Sequence, residues 1–301
     1  MIGTSAEGAA VDLPRARAGV ADYVVLAKPR LNAMVLATTL GGAWLGSRGT
    51  APALLLLHAT AGTGLVAVGA GAINMVMERR TDALMLRTRG RPLPSGRMQP
   101  AEGLVFGILA AAAGLAWLAL GTTLLAAGLA AGTLLAYLAI YTPMKGRSAS
   151  NTLVGAVPGA VPPMIGWVAA GHGLGGGAWV LFAVLYLWQI PHFLSIAWLY
   201  REDYARAGLV MLPGVDGTGA AAGRHAVLYA VFLTGASLFA APVGLAGGTY
   251  LAGAVLLGAG YVAAAVAFAR ARRDASARRL LHASLLYVPL LFVLMGLDPA
   301  R

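Results

Sequence analysis

Cysteine is absent from the 301 residues of the chain. Disulfides, thiolate metal sites, thioether-linked haem and cysteine nucleophiles are therefore all excluded. Charged residues are also scarce, at 11% of the chain against 59% hydrophobic residues. A soluble domain of this length does not need so apolar a composition, and the lipid bilayer is the solvent that the composition predicts.

Long apolar runs recur along the sequence. A membrane-spanning helix needs about 20 apolar residues, because each residue advances ~1.5 Å through a hydrocarbon layer ~30 Å thick. The runs between charged segments predict nine spans, at residues 24–46, 51–77, 101–120, 122–142, 151–170, 176–200, 224–246, 249–269 and 279–297. We therefore expect an all-α, polytopic membrane protein. One transmembrane domain at 23–301 would follow a short N-terminal arm at 1–22 that has no cleavable signal.

Acidic residues are few, with 11 Asp and Glu against 22 Lys and Arg, and the net charge is +11. Such an excess can indicate nucleic-acid binding, but the basic residues fall in alternate loops, with only Arg48 and Arg301 elsewhere. The positive-inside rule explains this distribution without any nucleic acid. It predicts a cytoplasmic N-terminus and an external C-terminus.

Polar residues with helical spacing follow the second predicted span. Asn74, Glu78 and Asp82 are each four residues apart, so on a helix they form a column of oxygen atoms on one face. Mg²⁺ prefers a few such carboxylates together with substrate phosphates. Arg87 and Arg91 follow at the same spacing, and guanidinium groups bind phosphate oxygens in pairs. The segment therefore predicts a site for Mg²⁺ and a diphosphate, although a charged loop with internal ion pairs would explain the arginines alone.

Two further segments carry candidate residues. Lys145 precedes a span that contains Pro162 and Pro163 in tandem, which predicts a bent helix beside a cavity. Lys145 is a candidate phosphate ligand there, and an interfacial anchor would look the same.

The third segment contains His192 inside a predicted span, followed by Arg201, Glu202 and Asp203 at its end. An ionisable residue inside the membrane is a candidate functional residue, although a buried structural histidine is the alternative. Glu202 and Asp203 are candidate metal ligands. His58 lies far from these motifs along its span and is interpreted as structural.

Together these motifs resemble the haem O synthases, the protohaem IX farnesyltransferases of the UbiA superfamily of intramembrane prenyltransferases. The resemblance covers about residues 22 to 297, and it is carried by Asn74, Glu78, Asp82, Met85, Arg87-Thr88, Arg91-Pro92-Leu93, Tyr141-Thr142-Pro143, Lys145, Asn151, Pro191-His192-Phe193, Arg201-Glu202-Asp203-Tyr204, Gly208 and Met211-Leu212-Pro213. Glu78 stands where the family usually has aspartate, and Arg80 stands where many bacterial relatives have another acid.

The resemblance implies nine helices around a central cavity open to the cytoplasm, with Mg²⁺, farnesyl diphosphate and haem B as ligands. It also implies the cell (inner) membrane of a bacterium. We hypothesise that Asn74, Glu78 and Asp82 bind the metal, aided by Glu202 or Asp203. In the same hypothesis Arg87, Arg91, Lys145 and Arg201 bind the diphosphate, while His192 orients haem or acts as a base. A haem A synthase or the assembly of a terminal oxidase would receive the product. The alternatives are a prenyltransferase with an aromatic acceptor and, with less support, a secondary transporter.

Overall fold

The computed structural model describes residues 18–300, whose regular secondary structure is helical, with no strand among them. In chain order the helices are α1 (Val20–Leu26), α2 (Pro29–Gly46), α3 (Ala53–Leu84), α4 (Pro100–Gly121), α5 (Leu124–Leu135), a π-helical turn (Ala136–Tyr141), α6 (Thr142–Met144), α7 (Asn151–Ala160), α8 (Pro162–Ala169), α9 (Gly176–Leu199), α10 (Arg201–Arg206), α11 (Leu212–Asp216), α12 (Ala220–Leu238), α13 (Gly248–Ala271) and α14 (Asp274–Leu297). The all-α prediction is confirmed for this part of the chain. Residues 1–17 of the predicted N-terminal arm and the C-terminal Arg301 lie outside it.

Seven helical segments within residues 18–300 are long and apolar enough to cross a membrane. They are Ala53–Leu84, Pro100–Gly121, Leu124–Met144, Asn151–Ala169, Gly176–Leu199, Gly248–Ala271 and Asp274–Leu297. Two other helices, α2 and α12, stand where the first and seventh spans were predicted. Each begins with polar or charged residues, such as Arg30 in α2 and Arg224 in α12, and is therefore less apolar over its length.

The predicted break at the tandem prolines is present. Helix α7 ends at Ala160, and α8 begins at Pro162. Proline is favoured at the first position of a helix because its missing N–H would have no partner there. By contrast, α9 continues through Pro191 without a break.

Small residues allow the helices to approach one another closely. Gly62 and Gly69 of α3 face Gly114 and Gly107 of α4, and a Cβ atom on any of them would meet the opposite helix within 3.0 Å. Such contacts are the usual means of helix association in a bilayer, where apolar burial drives little. The same holds for α2 and α8, where Gly166 packs directly on the backbone of α2.

Two buried clusters divide the bundle. One joins α9, α12, α13 and α14, with Tyr250, Tyr261 and Tyr287 as its largest buried side chains. The other joins α2, α3, α4, α5 and α8. The short helix α1 packs through Leu26 against α3 and against the 85–99 connection that follows α3. This packing holds that connection close to the end of α3.

Replacing Gly166 by Ala should destabilise the protein, because the added methyl would overlap the Thr39 carbonyl oxygen and the Ala43 nitrogen of α2. The expected loss is about 1–3 kcal/mol, as for other overpacked contacts. Thermal unfolding in detergent, followed by tryptophan fluorescence, measures it. Gly128→Ala in α5 is the matched control, because a Cβ there meets nothing within 4 Å. Equal melting temperatures for the two variants would contradict the close α2–α8 contact.

Candidate diphosphate and metal site

Helix α3 extends to Leu84, well beyond the predicted end of its span, and it carries Asn74, Glu78 and Asp82. We call these three residues the α3 column. Asn74 and Asp82 are each 1% exposed, and the Glu78 side chain is 17% exposed. The column therefore faces the interior of the bundle, as its four-residue spacing predicts.

Every member of the α3 column is bonded to a positively charged side chain. Lys28 Nζ donates to Asn74 Oδ1 at 2.9 Å, Lys145 Nζ donates to Glu78 Oε1 at 2.6 Å, and Arg91 Nη1 donates to Asp82 Oδ2 at 2.8 Å. We call Lys28, Arg91 and Lys145 the column cations. They come from three separate segments of the chain: the break between α1 and α2, the 85–99 connection, and the residue after α6. Buried carboxylates require such partners, because an unpaired charge in a low-dielectric interior is very unfavourable.

Lys28 was not among the residues predicted for the site. It precedes Pro29, the first residue of α2, and its φ of 47° lies in the left-handed region. The chain turns sharply there, and the Lys28 side chain extends towards α3 instead of continuing along a helix. The one signal in the sequence is a lysine directly before a helix-starting proline, and this signal does not reveal which neighbouring helix the lysine contacts.

Thr142 completes the inner end of the site. Its Oγ1 accepts a hydrogen bond from Asn74 Nδ2 at 3.0 Å and donates one to the Tyr137 carbonyl oxygen at 2.8 Å. The π-helical turn ends directly before Thr142. Turns of this kind occur often at functional sites, because they redirect the side chains that follow. The Lys145 ammonium lies 4.7 Å from the centre of the Tyr141 ring, a cation–π contact that adds to its bond with Glu78.

A cavity of about 360 Å³ opens beside the Glu78–Lys145 pair. Its lining comes from α3, from the chain around α6 and from the segment after α10: Met77, Glu78, Thr81, Thr142, Pro143, Lys145, Gly146, Ala207, Gly208 and Leu209. Glu78 of the column and its partner Lys145 thus border a space that a small anionic group can enter.

The connections around this cavity are tied to one another. Val210 N donates to the Lys145 carbonyl oxygen at 2.8 Å, and Asn151 Nδ2 donates to the Val210 carbonyl oxygen at 2.7 Å. Asn151 is only 1% exposed. These bonds hold the segment after α10 next to Lys145, where Ala207, Gly208 and Leu209 line the cavity.

Asp203 links α10 to the 85–99 connection. Its carboxylate accepts a hydrogen bond from Leu86 N at 3.3 Å and pairs with Arg206. The Arg206 hydrogen bond lowers the pKa of Asp203, which keeps the carboxylate ionised at neutral pH. Nearby, the Arg87 guanidinium lies 4.9 Å from the centre of the Tyr200 ring. The two connections that carry the first and third motifs therefore meet, although Asp203 bonds to a backbone N–H and an arginine instead of to the column.

Three other predicted residues lie away from the column. Arg201 Nη1 donates to Asp274 Oδ1 at 3.1 Å and to the Trp198 carbonyl oxygen at 2.7 Å, and Glu202 is exposed. His192 Nδ1 lies 2.7 Å from Ser284 Oγ, and the imidazole stacks on the Trp188 ring. The roles predicted for these residues stay predictions.

His58 has a partner on a neighbouring helix. His58 Nδ1 accepts a hydrogen bond from Trp117 Nε1 at 2.9 Å, which agrees with a structural role.

The donor atoms available for a metal are those of the α3 column. Among residues 18–300, no three His, Asp or Glu side chains come together as a complete metal site. The α3 column offers two carboxylates and one amide oxygen. This donor set suits Mg²⁺, which takes one or two carboxylates and completes its shell with water and substrate phosphates.

The helical bundle and the acidic column with its surrounding cations are the arrangement expected for an intramembrane prenyltransferase, and comparison with known proteins agrees. Residues 35–291 match the UbiA prenyltransferase family. The chain therefore belongs to this family, and with its apolar helices it is an integral membrane protein.

Two relatives that are similar to the chain over most of its length carry the same name. It is 47% identical over 286 residues to the protoheme IX farnesyltransferase of Solibacter usitatus, covering 92% of this chain and 98% of that one. It is 45% identical over 281 residues to the protoheme IX farnesyltransferase of Myxococcus xanthus, covering 92% and 94%.

Solved structures show the same fold at low sequence identity. A digeranylgeranylglyceryl phosphate synthase matches with a TM-score of 0.77 at 16% identity, covering 92% of this chain and 97% of that one. A UbiA homologue from Archaeoglobus fulgidus, bound to DMAPP and Mg²⁺, matches with a TM-score of 0.60 at 15% identity, covering 91% and 99%.

Proposed function

We propose that the protein transfers the farnesyl group of farnesyl diphosphate to a vinyl side chain of haem B and so produces haem O. The observation that carries this proposal is the 47% identity, over 98% of its length, to a relative named protoheme IX farnesyltransferase. At this identity and coverage the fold and the activity are usually shared, whereas the fold alone would not specify an activity.

Mg²⁺ is the proposed cofactor, and Asn74, Glu78 and Asp82 are its proposed ligands. Support comes from the oxygen donors of the α3 column and from the Mg²⁺ bound with DMAPP in the Archaeoglobus fulgidus homologue. When bound, the ion neutralises diphosphate charge and stabilises the diphosphate as a leaving group. Arg91 and Lys145 lie beside the column and bind the phosphate oxygens.

The reaction proposed for this site begins with cleavage of the bond between farnesyl C1 and the diphosphate oxygen. The vinyl group of haem B supplies the electron pair for the new carbon–carbon bond. Water then adds to the resulting cation and loses a proton, which gives the hydroxyethylfarnesyl group. The cations around the column stabilise the departing diphosphate, and the apolar bundle limits access of water to the farnesyl cation.

The proposed topology has nine spans, a cytoplasmic N-terminus and an external C-terminus. It adds α2 and α12 to the seven segments above. Two contacts support a common end for the basic connections: Leu86 with Asp203 joins the ends of α3 and α9, and Arg201 with Asp274 joins the end of α9 to the start of α14. The five arginines around the α13–α14 turn lie at this end, which the positive-inside rule assigns to the cytoplasm.

Expression of the chain in a membrane supplied with haem B and farnesyl diphosphate should yield haem O, detected by mass spectrometry. Glu78→Ala and Asp82→Ala should lower turnover by about 100-fold or more, because each removes a charged group next to the leaving group. Glu78→Asp should keep part of the activity, since the charge survives. Each variant should elute as a folded protein in detergent. Wild-type turnover in both alanine variants would contradict the role of the column.

Arg91→Lys should raise the Michaelis constant for farnesyl diphosphate about tenfold, because the charge remains but paired contacts to phosphate are lost. Arg87→Lys should raise it less, since the Arg87 guanidinium packs on Tyr200. Arg89 is exposed in the same connection, and Arg89→Lys is the matched control. Steady-state kinetics of the three variants measures the effect. Equal Michaelis constants for Arg91→Lys and Arg89→Lys would contradict a role of Arg91 in phosphate binding. Arg91 would then contribute only to the orientation of the chain in the membrane.

His192→Ala should weaken haem binding by about tenfold or more, equal to ~1.4 kcal/mol, while farnesyl diphosphate binding stays normal. The reason is its contacts: His192 bonds to Ser284 of α14 and stacks on Trp188, and it bonds to neither the α3 column nor the cations around it. Titration in detergent measures the two ligands separately, with haem followed by its absorbance. His58→Ala, which loses only its contact with Trp117, is the control. A loss of diphosphate affinity with unchanged haem affinity would assign His192 to the opposite end of the cavity.

A further inference from the structure

The α3 column and the column cations are bonded to one another, so neither set is free to bind a ligand. Each oxygen group that would bind a metal already accepts a hydrogen bond from Lys28, Arg91 or Lys145, and each of these cations is of the kind that binds phosphate. The cluster holds three positive charges against two carboxylates. A metal and a diphosphate would therefore compete with internal bonds at every position that they use.

Either ligand alone would leave buried charges without partners. A metal ion on Glu78 and Asp82 would displace Lys145, whose side chain is only 14% exposed. A diphosphate on Arg91 and Lys145 would leave Asp82, with a side chain 2% exposed, as an uncompensated carboxylate. Breaking one half of a buried pair is strongly unfavourable, because the other half keeps its desolvation penalty. When both ligands enter together, every displaced charged group finds a new partner of opposite charge.

The geometry allows such an exchange without movement of α3. The column sits on a continuous helix, whereas each column cation lies outside the long helices, at Lys28 before α2, Arg91 in the 85–99 connection and Lys145 after α6. Lysine and arginine have long side chains with several rotatable bonds, so their charged ends can move while the backbone stays fixed.

We propose that the column cations change partners when substrate enters, passing from the α3 column to the phosphate oxygens as the column passes to the metal. Metal and diphosphate thus bind weakly alone and strongly together, and Lys28 becomes a third phosphate-binding residue. This inference rests on the proposed function, because it takes the site to be one for a metal and a prenyl diphosphate. By linkage, each ligand strengthens the binding of the other by the same factor.

The first test titrates Mg²⁺ alone into the full chain in detergent by calorimetry. Arg91→Met and Lys145→Met should each bind Mg²⁺ about tenfold more tightly than wild type, because Asp82 or Glu78 is then free. Removing any nearby positive charge would give a smaller gain, and Arg89→Met measures that general effect from the same connection. Equal gains in Arg91→Met and Arg89→Met, or no gain in either paired variant, would overturn the exchange.

The second test titrates farnesyl thiodiphosphate, with sulfur in place of the C1 bridging oxygen, in the presence of EDTA. Asp82→Asn and Glu78→Gln should bind this probe about tenfold more tightly than wild type, although neither should turn over farnesyl diphosphate. Glu102→Gln is the control, because Glu102 is an exposed carboxylate that bonds to Gln99 N at the start of α4. Unchanged or weaker binding by both column variants would contradict the exchange.

Binding by the wild-type chain distinguishes failure of the exchange from failure of the proposed function. Saturating probe should strengthen Mg²⁺ binding at least tenfold, after correction for the complex that the two form in solution. A wild-type chain that makes haem O but shows no such coupling retains the proposed function and lacks the exchange. A chain that binds no probe even with Mg²⁺ lacks both.

Discussion

The pairing of a buried acidic column with cations from three distant segments is the interaction on which the arrangement of this site depends. Glu78 and Asp82 are buried on α3, where each carboxylate pairs with one cation, Lys145 or Arg91. Removing either cation would leave a buried charge without a partner, which is strongly unfavourable. The backbone around each cation must therefore be held in position. Much of the local structure does this: α1 packs on the 85–99 connection, and Val210 bonds to the Lys145 carbonyl oxygen.

The bonds between connections use the backbone more than side chains. Leu86 and Val210 contribute N–H groups, which Asp203 and the Lys145 carbonyl oxygen accept. A polar backbone at the membrane boundary must satisfy its hydrogen bonds within the protein or with water. Here the same bonds that satisfy the backbone also hold the connections around the cavity to one another. The connections thus form an ordered surface around the site, although they contain little regular secondary structure.

The sequence made the column predictable, because a four-residue spacing at the end of an apolar run has one helical interpretation. The charge asymmetry of the loops and the tandem prolines were equally local signals, and the break at Pro162 follows from them. Lys28 and Thr142 were out of reach, since their roles depend on contacts with Asn74 across 46 and 68 residues of chain. Arg201 was predicted as a phosphate ligand from its charge and position. Its bond to Asp274 is a tertiary contact that the sequence spacing does not reveal.

The π-helical turn before Thr142 sets the angular phase of everything that follows it. A π-helical turn contains one residue more than an α-helical turn, and one α-helical residue corresponds to a rotation of about 100° around the axis. In an uninterrupted α-helix, Thr142 and Lys145 would point in a direction about a quarter of a turn away from Asn74 and Glu78. The extra residue therefore shifts the helical register by one position. This shift depends on the number of residues in the turn and not on the identity of any one side chain. Deleting one residue in 136–141 would rotate Thr142 and Lys145 away from the α3 column, whereas many substitutions there would leave both side chains in place.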